Sequence, residues 1–105
     1  MKYILTILLA FFTTFAFAQD ENRELTFNKE TNLIDVVYYH DNGKVSQTGS
    51  YTADGKLEGK WLTFNEEGKK TTVAYYKEGK KVGTWTYWID GKVKKVDYTN
   101  NVASL

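Results

Sequence analysis

Five times between residues 39 and 92 an aromatic residue is followed, within a few polar residues, by Gly-Lys. The segments are Tyr39-His-Asp-Asn-Gly-Lys44, Tyr51-Thr-Ala-Asp-Gly-Lys56, Phe64-Asn-Glu-Glu-Gly-Lys69, Tyr76-Lys-Glu-Gly-Lys80 and Trp88-Ile-Asp-Gly-Lys92, with successive aromatics 12, 13, 12 and 12 residues apart. Turn signals at that spacing leave room for one short strand between each pair, the pattern of an antiparallel meander. Asn42-Gly43, Asp54-Gly55 and Asp90-Gly91 are pairs preferred where φ must be positive, as in tight hairpin loops. Positive φ is expected at Gly55 and Gly91 in particular. Glu67-Gly68 and Glu78-Gly79 are weaker versions and suit longer loops.

The residues between the turns fit this reading. Segments 33–39, 45–52, 60–64, 71–76, 84–89 and 93–99 are dense in Val, Thr, Tyr, Trp and Phe, which favour pleated, half-buried positions. Proline is absent from the chain, and no helical periodicity follows residue 19. A second period sits on the first: Gly55, Gly59, Trp61 and Phe64 recur 24 residues later as Gly79, Gly83, Trp85 and Trp88. A unit of two strands and two turns cannot bury an apolar face alone, so neighbouring units must share one. Gly59 and Gly83, two residues before each Trp, are expected to make room for a neighbouring ring.

The doubled motif Gly55-Lys-Leu-Glu-Gly59-Lys-Trp61-Leu-Thr-Phe64 and Gly79-Lys-Lys-Val-Gly83-Thr-Trp85-Thr-Tyr-Trp88 resembles the MORN repeat in its bacterial variant form. A degenerate copy begins at Gly43-Lys44, and a half copy at Gly91-Lys92. The resemblance covers residues 38 to 98. It implies an elongated antiparallel sheet serving as a scaffold, a binding platform or an appendage to an enzyme. Bacterial chains of this type are often classed as antitoxin-like, which implies a toxin partner in the cytoplasm.

The first 18 residues point elsewhere. Met1-Lys2 gives a positive start, Tyr3 to Phe12 is almost wholly apolar, and Ala16-Phe17-Ala18 supplies small residues where a signal peptidase reads. That order is the secretory pattern. A spanning helix needs about 20 apolar residues followed by a positive stop, whereas Gln19-Asp20-Glu21 follows here. The expected organisation is a signal peptide (1–18), an N-terminal segment with edge strands (19–37), the repeat sheet (38–99) and a tail (100–105). The protein is expected to be exported, periplasmic or extracellular. With no cysteine, neither a disulfide staple nor a lipid-modified N-terminal Cys is available.

Cleavage after Ala18 removes only Lys2 among the charged residues and leaves 13 basic against 13 acidic ones. That balance excludes a dedicated nucleic-acid binder, which carries a basic excess. Ten Lys against five acids fall between Lys56 and Lys95, where lysine commonly guards sheet edges. No catalytic constellation emerges. His40 is the sole histidine; with Asp41, Ser46 and Ser50 nearby it reads as a solvent-facing turn residue. The acids before the turn glycines support the turns. No phosphate loop, metal set or cofactor motif is present.

The aromatics carry the remaining interest. Along 84–89, Trp85 and Tyr87 point to one face and Trp88 to the other. One layer cannot bury two apolar faces; Leu25, Phe27, Leu33 and Ile34 are available to cover one. Cover should run out toward the C-terminal end, leaving an aromatic patch of Trp85, Tyr87, Trp88 and Tyr98 rimmed by Lys92, Lys94 and Lys95. Such a patch suits an unidentified protein or glycan of the cell envelope. The sequence therefore reads as an exported, non-enzymatic binding or scaffold module, with an antitoxin-like inhibitor and a carbohydrate- or wall-binding module as rivals.

Overall fold

A computed structural model describes residues 22–99 and 102–104; the expected signal peptide, 1–18, lies outside them. The described residues form nine strands and no helix: β1 (Arg23–Asn28), β2 (Leu33–Tyr39), β3 (Val45–Tyr51), β4 (Leu57–Phe64), β5 (Lys70–Lys77), β6 (Lys80–Lys81), β7 (Gly83–Ile89), β8 (Lys92–Thr99) and β9 (Val102–Ser104). All belong to one antiparallel sheet, in the order β1-β2-β3-β4-β5-β7-β8-β9, with β6 paired to the end of β5. Every strand thus pairs with its neighbour in sequence, as the turn spacing requires.

The five Gly-Lys turns fall into two groups. At His40–Lys44, Thr52–Lys56 and Asn65–Lys69 the first residue's N–H donates to the Lys carbonyl at 2.8 Å, and the Gly N–H donates back to the first residue's carbonyl at 2.9–3.0 Å. Gly43, Gly55 and Gly68 have φ of 89° to 90°, so each loop is three residues long with glycine in the left-handed position. The remaining two turns have two residues, both at positive φ: Glu78 (50°) with Gly79 (85°), and Asp90 (51°) with Gly91 (76°). The expected assignment is therefore altered. Asn42-Gly43 and Asp54-Gly55 sit in the longer loop, and Glu78-Gly79 makes a tight one, because the Lys77↔Lys80 pairing leaves only two residues between the strands.

The described part of the N-terminal segment does not lie over a face of the sheet. Leu25 and Phe27 are in β1, paired with Val36 and Ile34 of β2, and they are exposed. Residues 102–104, expected to belong to a tail, also join the sheet, β9 pairing with Asp97–Thr99 of β8.

One face carries the core. Val36, Trp61, Ala74 and Trp85 form a buried cluster, and Tyr38, Tyr51, Leu57, Tyr75, Tyr76, Tyr87 and Tyr98 pack against it. Most of these rings make a continuous row across the strands. The Tyr38 and Tyr51 hydroxyls are 2.7 Å apart. Tyr51–Trp61, Trp61–Tyr76 and Tyr76–Trp85 meet edge to face at 5.2, 6.3 and 5.3 Å, and the tilted pair Trp85–Tyr98 stands at 4.9 Å. Edge-to-face pairs add to area burial because the positive ring edge meets the negative ring face. Among the described residues a single layer thus builds its core from rings leaning on one another.

Gly59 (φ 77°) and Gly83 (φ 71°) are needed for a different reason from the one expected. A Cβ on Gly59 meets nothing within 4 Å, and one on Gly83 makes an ordinary 3.6 Å contact with Tyr75. Their role is conformational. The pairing runs Thr48↔Leu62 and then Ser50↔Glu58, so Gly49 alone faces Gly59, Lys60 and Trp61. The left-handed glycine accommodates that bulge.

Candidate functional site

The seven residues singled out at the C-terminal end come from β7 and β8. The two-residue turn at Asp90-Gly91 sets their register: Trp85↔Val96, Tyr87↔Lys94, Trp88↔Val93 and Ile89↔Lys92. Side-chain alternation then divides them between two surfaces.

On the ring-bearing face Trp85 is 6% exposed. It is core, held on several sides. Its Nε1–H donates to the carbonyls of Tyr75 (3.1 Å) and Val82 (3.2 Å). The Lys81 ammonium stands 5.3 Å from the centroids of both Trp85 and Tyr98, close enough for a cation–π attraction. Tyr87 and Tyr98 are half-buried beside it. Burial, followed by a hydrogen bond with Tyr98, holds the Tyr87 phenol above its ordinary pKa.

Trp88 is on the opposite face, 38% exposed, next to Val93 at 57%. The expected single patch is therefore two. One is Trp88 with Val93. The other is a hollow of about 260 Å³ lined by Tyr87, Ile89, Lys94 and Val96, at the lower edge of the ring row. Lys92, Lys94 and Lys95 are exposed; among the described residues none has a carboxylate within ion-pair distance. Ile89 and Val93 were not singled out from the sequence, although counting back from Asp90-Gly91 puts Ile89 on the Trp85 face and Val93 beside Trp88.

The other chemistry-bearing residues are engaged elsewhere. His40 is half-buried, not solvent-facing, and its Nε2 is 2.9 Å from the Phe64 carbonyl, which fixes that nitrogen as the protonated one. Ser50 Oγ donates to Asp35 Oδ1 at 2.7 Å and Asn28 Nδ2 to Asp35 Oδ2 at 3.1 Å. His40 and Ser50 are thus held by separate partners rather than by each other. Among the described residues no group of three or more His, Cys, Asp or Glu side chains could hold a metal ion. An apolar hollow of about 530 Å³ also lies between the His40 and Asn65 turns, lined by Val45, Thr48, Leu62 and Phe64.

Trp61 and Trp85 occupy matched places but differ at one atom. The Trp61 Nε1–H is buried without a hydrogen-bond partner, where Trp85 has two. Burial of an unpaired donor costs about 1–3 kcal/mol, so the Trp61 pocket carries a penalty that the Trp85 pocket does not. No protein-family model, curated protein or solved structure matches this chain.

Proposed function

We propose that the chain is an exported, non-enzymatic binding module of the cell envelope or exterior, built of MORN-like repeats and acting on a protein partner. The observation that carries this reading is the concentration of Trp88, Ile89 and Val93, all more than a third exposed, around one hairpin that also bears three exposed lysines. Apolar side chains rimmed by charge are the usual make-up of an interaction surface. The matched surroundings of Trp61 and Trp85 support the repeat reading: each follows a left-handed glycine by two residues, and each lies by a small residue of a strand that its own strand pairs with, Trp61 against Gly49 of β3 and Trp85 in the buried cluster with Ala74 of β5.

The test is capture of envelope components on immobilised protein, comparing wild type with a Trp88→Ala, Val93→Ser variant. A discrete envelope protein retained by wild type and lost by the variant is the expected result. Retention of a glycan would favour the carbohydrate-binding rival. Equal retention by both proteins would overturn the reading.

A further inference from the structure

The outer edge of β8 is only partly covered. β9 pairs with Asp97, Tyr98 and Thr99, and among the described residues nothing pairs with Lys92 to Val96 on that side. The two-residue turn fixes which backbone groups are left over. Ile89 and Lys92 flank it, so Lys92, Lys94 and Val96 direct their N–H and C=O groups toward β7. The alternate residues, Val93 and Lys95, direct theirs outward. An open edge of this kind is a template for one more strand.

Its side chains are arranged by face. On the ring-bearing face Lys92 and Lys94 stand about 7 Å apart, two strand residues, beside the hollow of Tyr87, Ile89, Lys94 and Val96. On the other face Lys95 follows Val93, which adjoins Trp88. Three positive charges along four residues, none of them ion-paired among the described residues, make a local positive field between Asp90 and Asp97. Such lysines can also act as guards that repel strand addition. Here, however, apolar side chains lie beside them, Val96 next to Lys94 on the ring-bearing face and Val93 next to Lys95 on the other, so an added strand of complementary charge would meet attraction rather than repulsion.

Resting on the proposal of a protein-binding module, we infer that the free edge of β8 accepts an extended acidic segment of the partner as an additional antiparallel strand, in line with β9. The register specifies its pattern. The residue opposite Lys95 is acidic, that opposite Lys94 acidic, that opposite Val93 apolar against the Val93 side chain, and that opposite Lys92 acidic. The strand runs antiparallel, so the segment reads Glu-Glu-Val-Glu from N to C.

The probe is a synthetic peptide with blocked termini, Ser-Glu-Glu-Val-Glu-Ser, titrated into the protein in the form the cell accumulates and followed by the NMR amide shifts of the protein. Saturable shifts centred on Val93 and Lys95 are expected. Affinity should fall several-fold between low and physiological salt, and tenfold or more for Lys94→Glu, Lys95→Glu. N-methylation of the peptide at its first Glu and its Val, whose N–H groups face β8, should abolish binding. Absence of shifts at millimolar peptide, or equal binding of the charge-reversed Ser-Lys-Lys-Val-Lys-Ser, overturns the inference and leaves the lysines as guards. If the Lys94→Glu, Lys95→Glu variant still captures an envelope protein through Trp88, the edge inference fails while the binding-module reading stands. If the peptide binds and no envelope protein is captured, the reverse holds.

Discussion

The indole of Trp61 occupies the space into which a side chain on Gly49 would project. A Cβ built on Gly49 falls within the ring, against Cδ2, Cε2 and Cε3. Gly49 is the one glycine of the chain without a positive φ, so its need is steric, whereas Gly59 and Gly83 are needed for their backbone conformation. The two requirements respond differently to substitution. Gly49→Ala must displace a buried indole and is expected to cost about 1–3 kcal/mol, with a shift in tryptophan fluorescence. Gly59→Ala and Gly83→Ala should cost about 1–2 kcal/mol each, the penalty of a left-handed L-residue, with fluorescence unchanged. Asn tolerates that region and should recover part of the loss at 59 and 83 but none at 49. Urea denaturation with fluorescence detection reads all three; recovery by Asn at position 49 would contradict the steric account.

The two tryptophans of β7 should separate in the same assay. Trp85 is in the buried cluster and bonded to two carbonyls, so Trp85→Ala is expected to cost about 3–5 kcal/mol. Trp88 is on the outer surface, and Trp88→Ala should change stability by less than about 1 kcal/mol. Comparable losses for both would mean that Trp88 is covered in solution.

Much of this end of the molecule was legible in the sequence, and the limits are specific. The Gly-Lys turns marked the strand ends because only a few residue types accept positive φ. Side-chain alternation from residue 84 to 89 correctly put Trp88 opposite Trp85. Which of those rings is buried was not legible: Trp85 is enclosed by Tyr76, Tyr98 and Lys81, which reach it from β5, β8 and β6, and no local pattern encodes that meeting. Gly49 was hidden for the same reason. The ring that requires it arrives from the next strand through the bulge at Gly59-Lys60, and that register shift is invisible until both strands are paired. Glu78-Gly79 was misjudged because Glu is a poor left-handed residue, and the pairing of β5 with β6 overrode the local preference.

The tyrosine pair at the other end predicts an alkaline sensitivity. Burial and then the hydrogen bond with Tyr38 push the Tyr51 pKa from 10.0 up to about 12, with Arg23 opposing weakly. An acid whose folded pKa is raised keeps its proton in the fold after the unfolded chain has lost it. Its contribution is therefore fully present below pH 10 and is lost as pH rises from 10 toward 12. Stability should fall across that window, and Tyr51→Phe should flatten the fall. Tyrosinate absorbance should show a late-titrating fraction in wild type that is reduced in the variant.

Processing offers an independent check at the N-terminus. Ala16-Phe17-Ala18 motivates cleavage before Gln19. Mass spectrometry of the protein recovered from outside the cytoplasm should find a mature end at or near Gln19, in part as the cyclised pyroglutamate. Recovery of intact Met1 there would be incompatible with a cleaved leader.

The strictly sequential strand order has a kinetic and thermodynamic consequence. Because each strand after β1 pairs with the one before it, except that β7 passes over the two-residue β6 to pair with β5, the native contacts close short loops, and the relative contact order is low for an all-β protein. Short loops have a small closure entropy, so this sheet should assemble faster than sandwiches and barrels of similar length, whose strands must find distant partners. The same nearest-neighbour connectivity means that stability builds up strand by strand along the array. The middle, where Trp61 and Trp85 lean on Tyr76 between them, would be the last region to exchange its amide hydrogens, and protection would decline outward toward β1 and β9.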